Sequence, residues 1–432
     1  MLRRLTWTFA ALLLALPRPA LAEETPAPSA TTPEAAPAEP ATPAAQPTPE
    51  EMQKRIQQLE RRLALLEAPE AKKDLLTLES VSETALAFFK KLEIGGIVSA
   101  SYTYNFNQPE NGLNTGRGYD VYANQFMFNK ALLRLGKPVE YDAFEWGVGF
   151  SLKLLFGQDA AFTQTTPIGE FGDLFEATAT LNIPVGNGLK FVVGKYATPI
   201  GYESPFLEEA ANWSGGLAWT YLEPFVHTGF ALKYAFSSEW EAELMLNNGW
   251  DLMQDNNGFK SGILHVTFTP RENTTFSLLG FAGPEQEDVN SNWRVGGNFY
   301  LEHRFVPEFK TALQLDYGGE QFDNADGKFW AQWFGASLWL VLQPGESYSL
   351  ALRTDFIRDT HGVRTSDAPR LAPMPVNSGM NLLSTTLTFN FFPIAGFRVA
   401  PELRWDYSTF PDGAFDGKQS QLTLALGVAY LF

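Results

Sequence analysis

Between Phe397 and Tyr407 every second residue is bulky and non-polar (Phe397, Val399, Pro401, Leu403, Trp405, Tyr407), and the residues between them are Arg398, Ala400, Glu402, Arg404 and Asp406. An extended strand sends successive side chains to opposite faces, so this segment has one apolar face and one charged face. A soluble core does not accept the second face, and lipid does not either, because each Arg or Lys at mid-bilayer costs roughly 2 to 4 kcal/mol. The pattern fits a strand with hydrocarbon on one side and water on the other, which in a membrane requires a closed β-barrel. The last twelve residues repeat it, with Leu422, Leu424, Leu426, Val428, Tyr430 and Phe432 on one face and Gln421, Thr423, Ala425, Gly427 and Ala429 on the other.

Sixteen strand-like segments follow one another from Glu93 to the end: 93–106, 124–136, 143–156, 173–183, 189–197, 225–236, 240–250, 259–269, 275–283, 292–304, 309–318, 329–342, 348–358, 380–392, 397–408 and 419–432. Connections after even-numbered segments are short and those after odd-numbered ones are mostly long, the asymmetry of outer-membrane barrels with short periplasmic turns. The predicted fold is all-β: a closed antiparallel transmembrane barrel of about sixteen strands. A barrel of that size encloses water rather than a packed core. Lys130, Arg134, Glu145, Lys153, Lys233, Arg353, Arg398, Glu402, Arg404 and Asp406 are the candidate lumen wall. Mutual neutralisation of these charges is the plainer expectation, and a sorted field across the opening the alternative.

Residues before the barrel divide three ways. Arg3 and Arg4 precede an apolar run ending at Leu16, and Ala20-Leu21-Ala22 suits signal peptidase, so residues 1–22 read as an export signal. Residues 23–49, almost wholly Ala, Pro, Thr and Glu, read as a disordered spacer. Within 50–91, Met52, Ile56, Leu59, Leu63 and Leu66 form a short heptad seam, an oligomerising coil or a lone amphipathic helix. The barrel occupies 92–432. Both of its ends, and the coil, are expected in the periplasm.

With 14% aromatic and 19% charged residues and 36 glycines, the composition suits many amphipathic strands. The absence of cysteine excludes a cysteine-linked lipid anchor and disulfides. A net charge of −17 disfavours nucleic acid. The four histidines lack paired spacing, so no metal or other cofactor is expected, and no nucleophile motif suggests an enzyme. Asp255-Asn256-Asn257-Gly258 and Asp323-Asn324-Ala325-Asp326-Gly327 lack the closing Glu of a calcium loop and are expected to be hairpin turns.

The longest aromatic-rich connection, Thr198 to Pro224, has no Lys or Arg but carries Glu203, Glu208, Glu209 and Glu223. Folded into the lumen it would form an acidic constriction favouring cations. Lying across the barrel top, or bracing a neighbouring subunit, is the other expectation.

The runs Val193-Gly-Lys-Tyr-Ala-Thr-Pro-Ile-Gly-Tyr-Glu203, Pro224-Phe-Val-His-Thr-Gly229, Asn248-Gly-Trp-Asp251 and Asp255-Asn-Asn257 resemble the OmpL-like β-barrel porin family of bacterial outer membranes. The resemblance implies a diffusion channel. Val428, Tyr430 and Phe432 resemble the terminal signal read by the barrel-assembly machinery. The coil prefix is similar in layout to that of phosphate-selective porins, which are trimeric, so a homotrimer is expected; their basic lumen ladder is not evident here. The expected function is passive diffusion of small hydrophilic solutes or ions through the outer membrane, in contact with its lipid and lipopolysaccharide, with mild cation preference. The alternative is a barrel that anchors a spacer and coil tethering the cell wall or a partner protein.

Overall fold

The computed structural model describes residues 53, 56, 57, 88–163, 165–325, 327–366 and 379–432. The export signal, the spacer and most of the coil, including Met52, Leu59, Leu63 and Leu66, lie outside these residues; Ile56 is helical and exposed.

Leu92–Phe432 forms one unit built on sixteen strands. In order they are β1 (Glu93–Asn105), β2 (Gln125–Lys137), β3 (Gly147–Phe156), β4 (Gly172–Ile183), β5 (Leu189–Ala197), β6 (Val226–Ala235), β7 (Trp240–Asn247) and β8 (Ser261–Arg271). They continue as β9 (Thr274–Gln286), β10 (Val289–Val306), β11 (Phe309–Asn324), β12 (Gly327–Leu342), β13 (Tyr348–Asp359), β14 (Met380–Ile394), β15 (Phe397–Ser408) and β16 (Ser420–Leu431). Two short helices, α1 (Gln158–Thr163) and α2 (Leu217–Tyr221), lie in connections. Each strand pairs antiparallel with its sequence neighbours, and β16 pairs with β1 from Ile97↔Leu431 to Asn105↔Thr423, closing the barrel. Phe432 extends the seam by exchanging backbone hydrogen bonds with Gly96, at 2.8 and 3.0 Å.

Closure removes every sheet edge, and a broad apolar surface faces outward. Outward positions are large and exposed around the ring, among them Val148, Leu244, Leu278, Leu338, Leu403 and Leu426. Aromatic pairs mark the band's margins, with Trp240 stacked on Phe268 at 4.1 Å and Tyr430 on Phe432 at 5.8 Å. These suit the interface between hydrocarbon and headgroups.

Three sequence expectations change. β3 starts at Gly147 rather than at residue 143, because Asp142 Oδ1 accepts the backbone N–H groups of Phe144 and Glu145 and ends the preceding turn there. Glu145 is therefore an exposed turn residue and not part of the lumen wall. The connections after β9 and β11, expected as loops, are strand extensions ended by tight hairpins, and Phe322 stacks on Phe329 across the second. Asn324 pairs with Gly327, at φ 118°, to close that hairpin, whereas Asp255 to Gly258 lies inside the longer β7–β8 loop.

Candidate functional site

Alternation brings polar side chains to the inner face, but what meets them is chiefly protein. The β15 row of Arg398, Glu402, Arg404 and Asp406 is inward, as its period dictates, yet these residues are only 1 to 3% exposed. The segment from Thr198 to Pro224 covers them. It leaves the wall at β5, re-enters at β6, and is tied at its neck by Thr198 N–H to the Phe225 carbonyl at 3.0 Å.

Each stretch of this inner loop is fixed by a different strand. The Tyr202 N–H donates to Gln314 Oε1 of β11 at 2.7 Å, and its hydroxyl reaches Glu302 of β10. Glu203 pairs with Arg353 of β13 at 2.7 Å and accepts the Gly216 N–H at 2.6 Å, so one carboxylate joins two parts of the loop to the wall. A 3₁₀ turn, Leu207–Glu209, follows. Glu208 pairs with Lys130 of β2 at 3.0 Å and accepts the Ser99 hydroxyl of β1 at 2.6 Å, while Glu209 pairs with Arg134 at 2.5 Å. Arg398 then donates to the carbonyls of Leu207, Glu208 and Ala210 at 3.1, 2.8 and 2.9 Å. A guanidinium has donors enough for several acceptors in one plane, which is why a single Arg can collect the free carbonyls of a short turn.

Glu402 accepts the N–H groups of Trp213 and Ser214 at 2.7 and 3.1 Å, and Arg404 donates to the Gly215 carbonyl at 2.6 Å. The Trp213 ring lies where a Cβ on Gly427 of β16 would stand, so the small inward row of the last strand is a docking surface for this indole. α2 packs Leu217, Tyr221 and Leu222 against Trp333, Ile357 and Leu382 of β12 to β14. Glu223 ends the loop, fully buried, with Gln314 Nε2 donating to it at 2.5 Å and to Asp316 at 2.8 Å. Burial and the neighbouring Asp316 carboxylate push the Glu223 carboxyl well above the ordinary range.

The two other long connections near the seam also turn inward. Arg117 sits between Asp120 at 2.6 Å and Asp406 at 2.8 Å, and Tyr119 donates to the Pro205 carbonyl at 2.9 Å. Asp159 on α1 shares Lys130 with Glu208, at 3.4 Å, and burial pushes its carboxyl up to about 8. Phe162, Tyr119, Trp219 and Phe225 form an aromatic cluster joining these connections to the inner loop. Sequence reasoning missed Arg117, Asp120, Asp159 and Tyr119. A loop of four acids without a base must find cations elsewhere, and that requirement was the available signal.

The loop buries most of the inward charges from β11 through β16 to β2, whereas from β3 to β10, where Phe206 packs on Phe175 and Ile200 on Met245 and Ile263, several charges stay partly exposed. Charged side chains there are partly exposed: Lys153 of β3 at 22%, Lys233 of β6 at 36% and Glu302 of β10 at 30%, against 0% for Arg353. They are paired in place, Lys153 with Glu176 at 2.9 Å, Lys233 with Glu243 at 3.0 Å and Lys310 with Glu302 at 2.8 Å. The candidate wall residues therefore fall into two groups. Lys130, Arg134, Arg353, Arg398, Glu402, Arg404 and Asp406 bind inward-folded connections, and Lys153 and Lys233 face the remaining space. The histidines stay apart, each beside a hydroxyl: His227 near Thr198, His265 near Ser277, His303 near Thr274 and His361 near Thr360.

Residues 91–432 match the family described as "Putative beta-barrel porin-2, OmpL-like". The chain belongs to this porin family. Its barrel is also similar to solved structures at low identity. The outer membrane channel DcaP of Acinetobacter baumannii is 11% identical with a TM-score of 0.54, covering 79% of this chain and 97% of that one. An anion-selective porin from Comamonas acidovorans is 13% identical with a TM-score of 0.53, covering 79% and 99%. OmpT of Vibrio cholerae in its trimer form is 10% identical with a TM-score of 0.50, covering 79% and 99%. No curated protein matches the sequence significantly. The family and the barrel together place the chain in the outer membrane.

Proposed function

We propose that the barrel is a passive channel for small hydrophilic solutes and ions, with the inner loop as its constriction. The observation that carries this reading is the asymmetry of the interior. The loop buries most of the inward charges of one half of the wall, while the β3 to β10 arc keeps Lys153, Lys233 and Glu302 partly exposed inside a closed barrel. A paired wall beside an open path suits weakly selective diffusion rather than tight binding.

The selectivity is a mild preference for cations. Glu203 and Asp355 share the Arg353 guanidinium, at 2.7 and 2.8 Å, so this part of the loop region holds more acid than base although Glu208 and Glu209 are each paired. The short-turn end is the periplasmic end, as the length asymmetry of the connections suggests. Residues 23–49 then extend as a spacer in the periplasm, and the Met52 to Leu66 seam supports a homotrimer. Val428, Tyr430 and Phe432 line the outward face of β16 and serve as the assembly signal, and lipid and lipopolysaccharide surround the barrel.

Reconstitution in planar bilayers tests the reading. A channel gives stepwise conductance with a small positive cation selectivity in a salt gradient. A barrel that inserts, shown by heat-modifiable migration on gels, yet gives no steps is an anchor and not a porin.

A further inference from the structure

The turn between β2 and β3, residues 138–146, does not hang free at the periplasmic end. Gly147 and Gly149 are inward positions of β3 without side chains, and the Val139 side chain fills the space above both. A Cβ on Gly149 would strike the Lys137 carbonyl and Val139. Asn182, inward on β4 and fully buried, then locks the turn: its amide donates to the carbonyls of Asp142 at 2.9 Å and Glu145 at 2.7 Å. Gly188, at φ 95°, gives the backbone room for Asp142 to lie against it.

This tuck carries Tyr141 along the inner face to strands far from its own. Its hydroxyl donates to Glu241 Oε2 of β7 at 2.8 Å, and the Lys190 ammonium of β5 lies 3.8 Å from its ring centre. Lys190 pairs in register with inward Lys233, and Glu241 shares the inward parity of Glu243, so all three groups border the mouth. Unlike Lys153, Lys233 and Lys310, Lys190 has a ring and no carboxylate within ion-pair distance among the described residues. Burial and the Glu241 carboxylate push the Tyr141 hydroxyl far above its usual range, which keeps it a donor.

The arc whose inward charges stay partly exposed runs from β3 to β10, and the tucked turn reaches across the part of it from β3 to β7. We propose that Tyr141, Lys190 and Glu241 form a second, periplasmic constriction in series with the inner loop, selecting small dipolar solutes that carry an ammonium and a carboxylate. Lys190 meets the carboxylate and Glu241 the ammonium, with the Tyr141 ring setting the width. The proposal rests on the channel reading.

The test uses full-length protein in planar bilayers and in solute-swelling liposomes, with folding checked by heat-modifiable migration. Two constrictions in series share the resistance, so Tyr141→Ala is expected to raise single-channel conductance by up to about twofold. Asn182→Ser, which frees the turn without touching Tyr141, gives the same rise. Lys190→Gln slows glycine-driven swelling relative to that by a neutral solute of equal size and moves the reversal potential toward cations. Variant channels that all keep the wild-type conductance, reversal potential and glycine preference overturn the second constriction and leave the channel intact. A wild-type barrel without conductance overturns both.

Discussion

Replacing Arg398 with Met isolates the strength of the loop's attachment. The guanidinium donates five hydrogen bonds: three short ones to the carbonyls of Leu207, Glu208 and Ala210, one to Ala211 at 3.4 Å, and one from Nε to Asn390 at 2.9 Å. Hydrogen bonds to charged groups contribute about 1.5 to 3 kcal/mol each, but these are not additive. Methionine removes the burial cost of the cation, and the freed carbonyls border a lumen that can supply water. The loss should fall near the lower end of the ~3 to 5 kcal/mol typical of breaking a buried ionic network, about 3 kcal/mol. Because the wall's own ladder is untouched, that loss appears as local opening and not as barrel unfolding. It corresponds to about a hundredfold rise in the open population of the loop. The N–H groups of Glu209 and Ala210, bonded to Phe206 and Leu207 in the 3₁₀ turn, report it. Hydrogen exchange over residues 205–215 should lose about two orders of magnitude of protection while heat-modifiable migration stays that of wild type. Unchanged protection would refute the role given to Arg398, and simultaneous loss of loop and barrel would refute the separation of the two.

Gly427→Val places a branched side chain in the Trp213 ring; overpacking of this kind costs about 1 to 3 kcal/mol and should lower the gel-shift melting temperature. Glu223 has a raised pKa in the folded loop, so its share of stability is present at low pH and is lost as pH rises from the carboxylate range through that raised value. Glu223→Gln should therefore flatten the fall in loop protection between acid and neutral pH, and an unaltered profile rejects the assignment. Changing Glu208 and Glu209 to Gln should weaken cation preference, leaving Lys130 with Asp159 alone and Arg134 without its carboxylate; a reversal potential that does not move rejects the constriction. Asp at Ile56, Leu59 and Leu63 should weaken oligomers in native mass measurements without unfolding the barrel.

All sixteen strands were legible, because alternation over ten residues is local information and the outer face meets one uniform solvent. β5 and β15 even kept their limits, while β3 lost its first residues to an Asp142 turn that hydropathy does not register. The inward face was legible as polar but not as covered. Arg398 and Arg404 look the same in sequence whether they meet water or backbone carbonyls, and the choice depends on a loop nearly two hundred residues earlier. Pairings such as Lys130 with Glu208 likewise depend on which wall the loop reaches. The acidic content of that loop was readable, its partners were not, and Arg117 and Asp159 escaped because they lie in connections without periodicity.

The inner loop touches both strands of the closing seam: Glu208 meets Ser99 on β1, and Trp213 rests on Gly427 of β16. Backbone hydrogen bonds alone would tolerate a slip of two residues between these strands, since the alternation of faces survives it. Such a slip would carry Ser99 away from the carboxylate and put Ala425 or Ala429 beneath the indole. A segment from the middle of the chain thus acts as a gauge for the meeting of its two ends, favouring the one register in which the cylinder fits around what it encloses.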